Sequence, residues 1–196
     1  METLAQGAES SILIVDKKIL KKIRHKKEYR NSELDLKLRK FRCKREFKIL
    51  KRLEELEVNV PKPYEIELKN TSFTFEYLKG DVLKNVLTKE NLKQGFLEIC
   101  KLHNTGIVHG DLTTLNMMLI DSKVYIIDFG LSNFSEHIEE RSVDLNLFFH
   151  CIENEHRKFY SMKEELLKTY SKEVENGEKV IKRLEEVEKR GRNKNK

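Results

Sequence analysis

The first part of the chain carries short apolar runs bounded by polar turns and one long stretch of apolar residues recurring every three or four positions. The short runs predict strands and the long stretch predicts a helix, because side chains alternate in strands and repeat every 3.6 residues in helices. The helix should begin after Asn31-Ser32, residue types favoured at helix N-termini, and continue to about Glu57. Its apolar positions are Leu34, Leu38, Phe41, Phe47, Leu50, Leu53 and Leu56. The predicted strands cover residues 11–15, 19–23, 64–68 and 72–77.

A break at Lys79-Gly80-Asp81 separates this strand-rich part from a second part in which helical spacing dominates. Helices are predicted over residues 88–104 and across most of 136–188. Between them, residues 117–120 and 123–127 flank the turn Asp121-Ser122 and predict a hairpin. We therefore expect one α+β domain with two lobes. These are a small β-rich lobe of about residues 1–78 and a mostly helical, reduced lobe of about 79–188, followed by a loose basic tail at 189–196.

Charge is distributed unevenly along the 196 residues. The chain carries 39 Lys and Arg against 33 Asp and Glu, a formal net charge of +6 at pH 7. The stretch from Lys17 to Arg52 holds 17 basic and four acidic residues, and residues 179–196 hold eight and three. Two basic blocks suggest a polyanionic partner such as RNA, although a solvated Lys-rich surface would give the same counts.

Composition and hydropathy narrow the class of protein. No apolar run approaches the roughly 20 residues needed to span a bilayer, so no membrane association is expected. The N-terminus lacks the basic segment and apolar core of a signal peptide. The three Cys are far apart and form no Cys-x-x-Cys pair, which argues against a disulfide framework or a zinc site. We expect a cytoplasmic protein.

The strongest chemical signal is the stretch HGDLTTLN at residues 109–116, followed by an apolar hairpin and Asp128-Phe129-Gly130. Phosphoryl transfer needs a metal ion to neutralise phosphate charge and a carboxylate to orient or deprotonate the attacking hydroxyl. Because Mg²⁺ prefers oxygen ligands and retains waters, one Asp and one Asn can suffice on the protein side. We assign the catalytic role to Asp111 and the Mg²⁺ ligands to Asn116 and Asp128, which the hairpin should bring together.

A nucleotide site needs further groups in the β-rich lobe. A strand Lys should contact the phosphates, and a Glu in the following helix should orient that Lys. Glu46 is the candidate partner because it is the only acid between Asp35 and Glu54. Lys21 and Lys22 are both available: only one can face the cleft, and spacing alone does not choose between them.

The remaining nucleotide contacts rest on backbone groups. One Gly-containing turn precedes the first predicted strand, and its N–H groups could cover the phosphates. The strand at 72–77 ends at the lobe boundary, where backbone groups would hydrogen-bond an adenine edge. The residues assigned to the phosphate turn are Gly7, Ala8, Glu9 and Ser10, and those assigned to the adenine edge are Glu76 and Leu78.

A series of separated segments carries a family resemblance over nearly the whole chain. The segments are LAQGAES, KKIRHKKEYRNSELDLKLR, RCKREFKIL, FEYLKG, GIVHGDLTTLNMML, IIDFGLS, RSVDLN and the terminal RGR. In this order they resemble the small atypical Ser/Thr kinases of the KEOPS (EKC) complex, the PRPK family, which is similar to the RIO kinases within the protein-kinase-like superfamily.

This resemblance implies an ATP- and Mg²⁺-dependent kinase or ATPase that binds a threonylcarbamoyl-transferase subunit and other KEOPS subunits. It also implies support for threonylcarbamoyladenosine formation in tRNA, with tRNA met through the complex. In the family the nucleotide-binding Lys stands seven residues before the Tyr of a Tyr-Arg pair, so Tyr29 selects Lys22 over Lys21. Asp144 matches the Asp that braces the catalytic loop by hydrogen bonds.

Gly110 departs from regulated protein kinases, which have at that position an Arg that receives a phosphorylated activation loop. Only 13 residues separate Gly130 from Asp144, and no Ala-Pro-Glu occurs. We therefore expect a constitutively assembled site that phosphorylates general protein substrates poorly. Self-phosphorylation or partner-driven ATP hydrolysis fits these features better.

Two other functions were weighed against this one. A RIO-type or small-molecule phosphotransferase shares the His-x-Asp and Asp-x-Gly pattern. Small-molecule phosphotransferases usually need extra helices to build a substrate pocket, whereas only 62 residues follow Phe134 and no acidic substrate cluster stands out. An ATP-binding scaffold without turnover would not need Asp111, Asn116 and Asp128 together.

Overall fold

The computed structural model describes the backbone of residues 2–194 and the side chains of residues 2–190. Its first part is an antiparallel sheet with one long helix and its second part is mainly helical, which confirms the predicted α+β class. The spatial order of the strands in the sheet is first, second, third, fifth, fourth. These strands are β1 (Glu2–Gln6), β2 (Ser10–Ile14), β3 (Ile19–Arg24), β4 (Pro63–Glu67) and β5 (Ser72–Glu76).

Strand β1 is the element of this sheet that the apolar pattern did not predict. All five of its residues are exposed, so neither face produces the alternation by which a half-buried strand is read from a sequence. It is held by antiparallel pairing with β2, in which Glu2 lies opposite Ile14. The turn that contains Gly7 is therefore the connection of a hairpin.

Helix α1 (Ser32–Glu55) begins where the sequence predicts. The Asn31 side chain caps it by accepting hydrogen bonds from the N–H groups of Glu33 and Leu34 at 3.0 and 3.3 Å. The predicted apolar face is partly wrong, since Phe41 is 60% exposed whereas the charged Glu46 is buried. The buried residues of α1 are Asp35, Cys43, Glu46, Ile49, Leu50 and Leu53.

The second part combines short strands with four longer helices among the described residues. A 3-10 turn at Thr114–Asn116 leads into its hairpin, and a second one at Arg157–Met162 joins two helices. Its strands are β6 (Asp81–Val82), β7 (Ile107–Val108), β8 (Met117–Ile120), β9 (Lys123–Ile126) and β10 (Asn133–Phe134). Its helices are α2 (Leu83–Val86), α3 (Lys89–Asn104), α4 (Ile138–Glu155), α5 (Lys163–Glu173) and α6 (Gly177–Lys194).

The predicted hairpin is formed by β8 and β9. Asp121 and Ser122, the two turn residues, have φ values of 46° and 64°. Two consecutive left-handed residues match the twist of the flanking strands, which is why short polar residues occupy two-residue hairpin turns. Met117 pairs with Ile126 at the open end of the hairpin, so the segments before β8 and after β9 lie side by side.

Aromatic rings form the centre of the helical part. Phe96 of α3 packs against Phe148 and Phe149 of α4 at centroid distances of 5.7 and 5.8 Å, and against Tyr170 of α5 at 6.2 Å. Each fully buried ring of this kind contributes about 1.5–3 kcal/mol relative to exposure. This packing fixes α3 and α4, the two helices that flank the HGDLTTLN loop.

Helix α6 continues through Lys194, so the loose tail expected from residue 189 is helical over most of its length. Residues 195 and 196, the remainder of that expected tail, lie outside the described residues. Within the described chain no helix is both long and apolar enough to cross a bilayer.

Candidate functional site

A cavity of about 510 Å³ lies between the five-stranded sheet, helix α1 and the β8–β9 hairpin. Most of its wall is apolar, which is typical of sites that enclose a small molecule and orient it with a few polar groups. Polar side chains from separate segments line it, and the segment that links β5 to β6 completes one side. The polar side chains include Lys22, Glu46, Asn116 and Asp128, and the linking segment contributes Glu76, Tyr77, Leu78 and Gly80.

The alternation of β3 decides which Lys reaches the cavity. Lys22 shares a buried face with Leu20 and Arg24, all three being 5–6% exposed. Lys21 points to the opposite face, where its Nζ lies 2.9 Å from Glu67 Oε2. The structure therefore places Lys22 in the cavity and Lys21 outside it, as the family resemblance implied.

Lys22 is the centre of an ion network that joins the buried Glu46 to the more exposed Asp128. Its Nζ lies 2.7 Å from Glu46 Oε1 and 2.8 Å from Asp128 Oδ1. Burial lowers the pKa of Lys22, but the two carboxylates outweigh it and hold the pKa above its ordinary value. Lys22 is therefore a fixed positive charge in the cavity wall.

Asp128 follows β9 in a left-handed conformation, with φ of 59°. Its Oδ1 accepts a hydrogen bond from the Gly130 N–H at 3.2 Å as well as the bond from Lys22. Burial raises the pKa of Asp128, and the charge and hydrogen bond of Lys22 more than reverse this, so the pKa is lowered. Asp128 thus remains a carboxylate at neutral pH.

Asn116 lies beside Asp128 because the open end of the hairpin joins their segments. The Ile127 N–H donates to the Asn116 carbonyl oxygen at 2.9 Å. The Asn116 Nδ2 donates to the backbone oxygen of Asp111 at 2.7 Å and to its Oδ2 at 3.0 Å. The hairpin therefore brings Asn116 and Asp128 together as predicted, and Asn116 in turn holds Asp111, which does not itself line the cavity.

This set of donors suits Mg²⁺. With Nδ2 engaged by Asp111, the Asn116 amide presents its oxygen as a ligand atom, and Asp128 supplies a carboxylate. No cluster of three or more His, Cys, Asp or Glu that could hold a metal occurs among the described residues. A site with two protein oxygens fits a cation that keeps several waters and takes further ligands from substrate phosphates.

The buried Asp144 of α4 holds the backbone of the HGDLTTLN loop through hydrogen bonds. Its Oδ2 accepts from the His109 N–H at 2.5 Å and its Oδ1 from the Gly110 N–H at 2.8 Å. His103 Nε2 lies 3.4 Å from Oδ2, and His103 Nδ1 lies 2.7 Å from the Tyr170 hydroxyl. Sequence reasoning missed His103 and Tyr170, because both fall in apolar helical patterns and meet only in the fold.

Gly110 is required by the backbone of this loop. Its φ is +81°, and a Cβ at this position would lie 2.7 Å from the carbonyl oxygen of Leu131. A side chain there would meet both left-handed strain and a fixed backbone atom. The absence of Arg at this position therefore has a steric cause as well as the regulatory one that the sequence suggested.

The turn of residues 7–10 is not brought to the cavity wall. The Gly7 N–H donates to the Ser10 carbonyl oxygen at 2.9 Å, which closes the turn. The carboxylate of Glu9 faces Arg42 of α1. The backbone of the turn remains the candidate phosphate cover.

Arg24 is a further candidate functional residue that the sequence analysis did not identify. Its Nη2 donates to Glu46 Oε2, so Glu46 bridges Lys22 and Arg24. The available signal was the alternation Leu20, Lys22, Arg24, which puts two cations on one buried face of β3. The pairing with Glu46 could not be read from spacing.

Comparisons with known proteins show the family of the chain and a likeness of its fold. The sequence model of the family described as RIO domain matches residues 10–145. The chain is 41% identical to the KEOPS complex subunit Bud32 of Pyrococcus abyssi, over 98% of this chain and 96% of that protein. It is 32% identical to a probable serine/threonine-protein kinase BUD32 homolog of Archaeoglobus fulgidus, over 95% and 93%.

Longer relatives contain a matching segment. The chain is 39% identical to a probable bifunctional tRNA threonylcarbamoyladenosine biosynthesis protein of Methanocorpusculum labreanum, and it spans 36% of that protein's length. The fold is similar to the Rio2 kinase of Chaetomium thermophilum in an ADP/Mg²⁺-phosphoaspartate complex, with a TM-score of 0.64 and 16% identity, covering 98% of this chain and 70% of that one. This likeness shows a kinase-like fold.

Gly110→Ala should destabilise the protein because the added Cβ meets the Leu131 carbonyl oxygen and the residue must keep a positive φ. We expect a loss of about 1–3 kcal/mol, which corresponds to a melting temperature lower by about 3–10 °C. Gly7→Ala is the matched control, since its Cβ would meet only the Ser10 oxygen at 3.5 Å. Equal melting temperatures for the two variants would contradict the steric role of Gly110.

Lowering the pH should weaken the hydrogen bonds that Asp144 accepts from the His109 and Gly110 N–H groups. Burial raises the pKa of Asp144, but the hydrogen bonds and charges of His103 and His109 lower it overall. The carboxylate therefore stabilises the fold above the ordinary Asp pKa of about 3.9, and this stabilisation is lost as the pH falls through the lowered folded pKa.

Asp144→Asn should cost about 3 kcal/mol near neutral pH, the scale of breaking a buried charged network. The difference in free energy of unfolding from the wild type should narrow as the pH falls below about 4. Urea unfolding of both proteins at a series of pH values measures this difference in free energy. A difference that stays constant with pH would show that the charge of Asp144 contributes nothing.

Proposed function

The chain belongs to the RIO domain family, and from this premise we propose that it is an ATP-dependent phosphotransferase or ATPase, the kinase-like subunit of a KEOPS-type complex. In that role it would support threonylcarbamoyladenosine modification of tRNA in the cytoplasm. The observation that carries the proposal is the meeting of Lys22, Glu46 and Asp128 in one cavity, with Asn116 beside them.

Each residue has a stated task in this proposal. Lys22 neutralises phosphate charge and Glu46 keeps it oriented, while Asn116 and Asp128 hold Mg²⁺. When bound, Mg²⁺ supplies electrostatic stabilisation of the phosphates. Asp111 orients or deprotonates the attacking hydroxyl or water, and the Asn116 amide holds its carboxylate in place.

The two ends of the nucleotide would be held by backbone groups. Glu76 and Leu78 lie in the cavity wall at the boundary between the proposed lobes, about residues 1–78 and about 79–188, and would meet the adenine edge. The Glu76 N–H donates to the Lys62 oxygen at 2.9 Å, so the Glu76 carbonyl and the Leu78 N–H are the groups that we propose for the base. The N–H groups of Ala8 and Glu9, at the tip of the hairpin turn, would cover the phosphates.

The short segment after Asp128 supports ATP hydrolysis or self-phosphorylation over general protein phosphorylation. Strand β10 pairs with β7, with Asn133 opposite Val108, and α4 begins at Ile138. The chain therefore returns to the core within a few residues of Gly130. This leaves no extended segment on which a protein substrate could dock.

We also propose that the protein binds a threonylcarbamoyl-transferase subunit and other KEOPS subunits, and meets tRNA through the complex. Part of the first basic block is used internally, since Lys22, Arg24 and Arg42 pair with carboxylates. Lys21, Arg30, Lys37 and Arg39 also pair with carboxylates. The other exposed cations of the block are available to a polyanion, and they are Lys17, Lys18, Lys26, Lys44, Lys48, Lys51 and Arg52.

The fate of the γ-phosphate of labelled ATP tests the proposal. With Mg²⁺ and the threonylcarbamoyl-transferase partner, free phosphate should form, and more of it when tRNA is added. Asp111→Asn should retain ATP binding but lower turnover by about a hundredfold or more, and Asp128→Ala should abolish turnover at a nearly unchanged melting temperature. Unchanged turnover in both variants would refute the assigned site, and label retained on the protein regardless of partner would identify a kinase.

ATP binding should depend on Lys22 and not on Lys21. Lys22→Ala removes a charged phosphate contact and should weaken binding by about tenfold or more. Lys21→Ala removes a half-buried cation on the other face of the same strand and should change the dissociation constant by about twofold or less. Titration of a fluorescent ATP analogue measures both, and the reverse order would refute the role of Lys22.

A further inference from the structure

The turn of residues 7–10 carries a carboxylate where a phosphate-covering turn should offer only N–H groups. Left free, the Glu9 carboxylate would repel the phosphates it stands near. In the structure its Oε2 instead lies 2.5 Å from Arg42 Nη1 and 3.9 Å from Arg24 Nη1. The hydrogen bond from Arg42 lowers the pKa of Glu9 and keeps it charged.

The backbone oxygens of the turn are also tied to the end of β3. The Glu9 carbonyl accepts from the His25 N–H at 3.1 Å, and the Ala8 carbonyl accepts from Lys27 Nζ. Because both carbonyls are held on this side, the negative ends of these peptide dipoles are directed to cations and donors of β3 and its extension. The turn is thereby held in one conformation without the several glycines of a flexible phosphate loop.

Arg24 links this turn to the phosphate-binding Lys. It is only 5% exposed and donates through Nη2 to Glu46 Oε2, while Glu46 Oε1 receives Lys22. Its Nε is buried and has no hydrogen-bond partner in the described part of the chain. A buried guanidinium with an unsatisfied N–H costs free energy. Its presence therefore points to a role for Arg24 beyond stability.

We propose that Glu9, Arg24 and Arg42 form a clasp that sets the affinity of the site for the phosphate chain of the nucleotide. Arg24 and Arg42 are positioning residues in this proposal. Arg42 holds the turn through its ion pair with Glu9. Arg24 orients the Glu46 carboxylate that binds Lys22, and it also attracts the Glu9 carboxylate. The inference rests on the proposed nucleotide site and adds residues that act on it from outside the cavity.

Binding of ATP, ADP and adenosine to the whole chain tests the clasp. Glu9→Gln and Arg42→Gln each should weaken the binding of ATP and ADP by about threefold to fivefold, with adenosine affinity unchanged. A merely structural role would weaken all three ligands alike. Arg24→Lys keeps the buried charge but loses the branched guanidinium that can contact Glu46 and Glu9 together. It should therefore also lower the affinity for ATP relative to that for adenosine.

A double-mutant cycle and a matched control sharpen the test. Since Glu9 and Arg42 act through one contact, the Glu9→Gln, Arg42→Gln double variant should bind ATP no more weakly than either single variant. Glu67→Gln removes the Lys21 ion pair on the outer face of the same sheet and should change nothing. Melting temperatures identify any variant that is simply unfolded.

The outcomes separate the two proposals. If the wild type binds ATP and the variants keep its preference for ATP over adenosine, or if the single effects add, the clasp is refuted and the nucleotide site stands. If the wild type itself binds ATP no better than adenosine, both the clasp and the proposed function are refuted.

Discussion

The Glu46 carboxylate is almost completely removed from solvent and lies between the Lys22 ammonium and the Arg24 guanidinium. A buried carboxylate without such partners would cost several kcal/mol, so helix α1 can pack on the sheet only where both cations of β3 meet it. This constraint fixes the orientation of α1 and the direction of Lys22. Asp128 then reaches the same ammonium from the hairpin, and Glu9 meets Arg24 from the opposite side. The arrangement of the cavity depends on this one charge.

A second buried carboxylate performs the corresponding task in the helical part. Asp144 receives the N–H groups of His109 and Gly110, and His103 and Tyr170 connect it to the aromatic core. Because those donors are backbone groups, α4 holds the loop conformation directly, together with the Asn116 side chain, which donates to the Asp111 backbone oxygen. Gly110 permits the close approach to Leu131 that this conformation needs. Asp111 and Asn116 are thus held on a rigid support.

Internal ion pairs also change how the charge of the chain is interpreted. The first basic block looks from its composition like a surface for a polyanion, yet Lys22, Arg24 and Arg42 neutralise carboxylates inside or beside the cavity. Most exposed lysines of the block are available to a partner, whereas Lys37 pairs with Glu33 on the surface of α1. The same segment therefore contains cations that pair with carboxylates at the cavity and exposed cations that can meet a partner.

The sequence by itself determined the elements and the spacing of the chemical groups. The Asn31 cap, the Asp121-Ser122 turn and the order HGDLTTLN, hairpin, Asp128 depend on neighbouring residues, and local backbone geometry makes such features readable. It did not reveal β1, whose exposed residues leave no periodic signal, nor the face that α1 buries. The choice of Lys22 over Lys21 came from resemblance to a family, and packing against α1 supplies its physical cause. Contacts such as Glu9 with Arg42 and His103 with Tyr170 join residues far apart in the chain, so only the tertiary structure, which places those elements side by side, decided them.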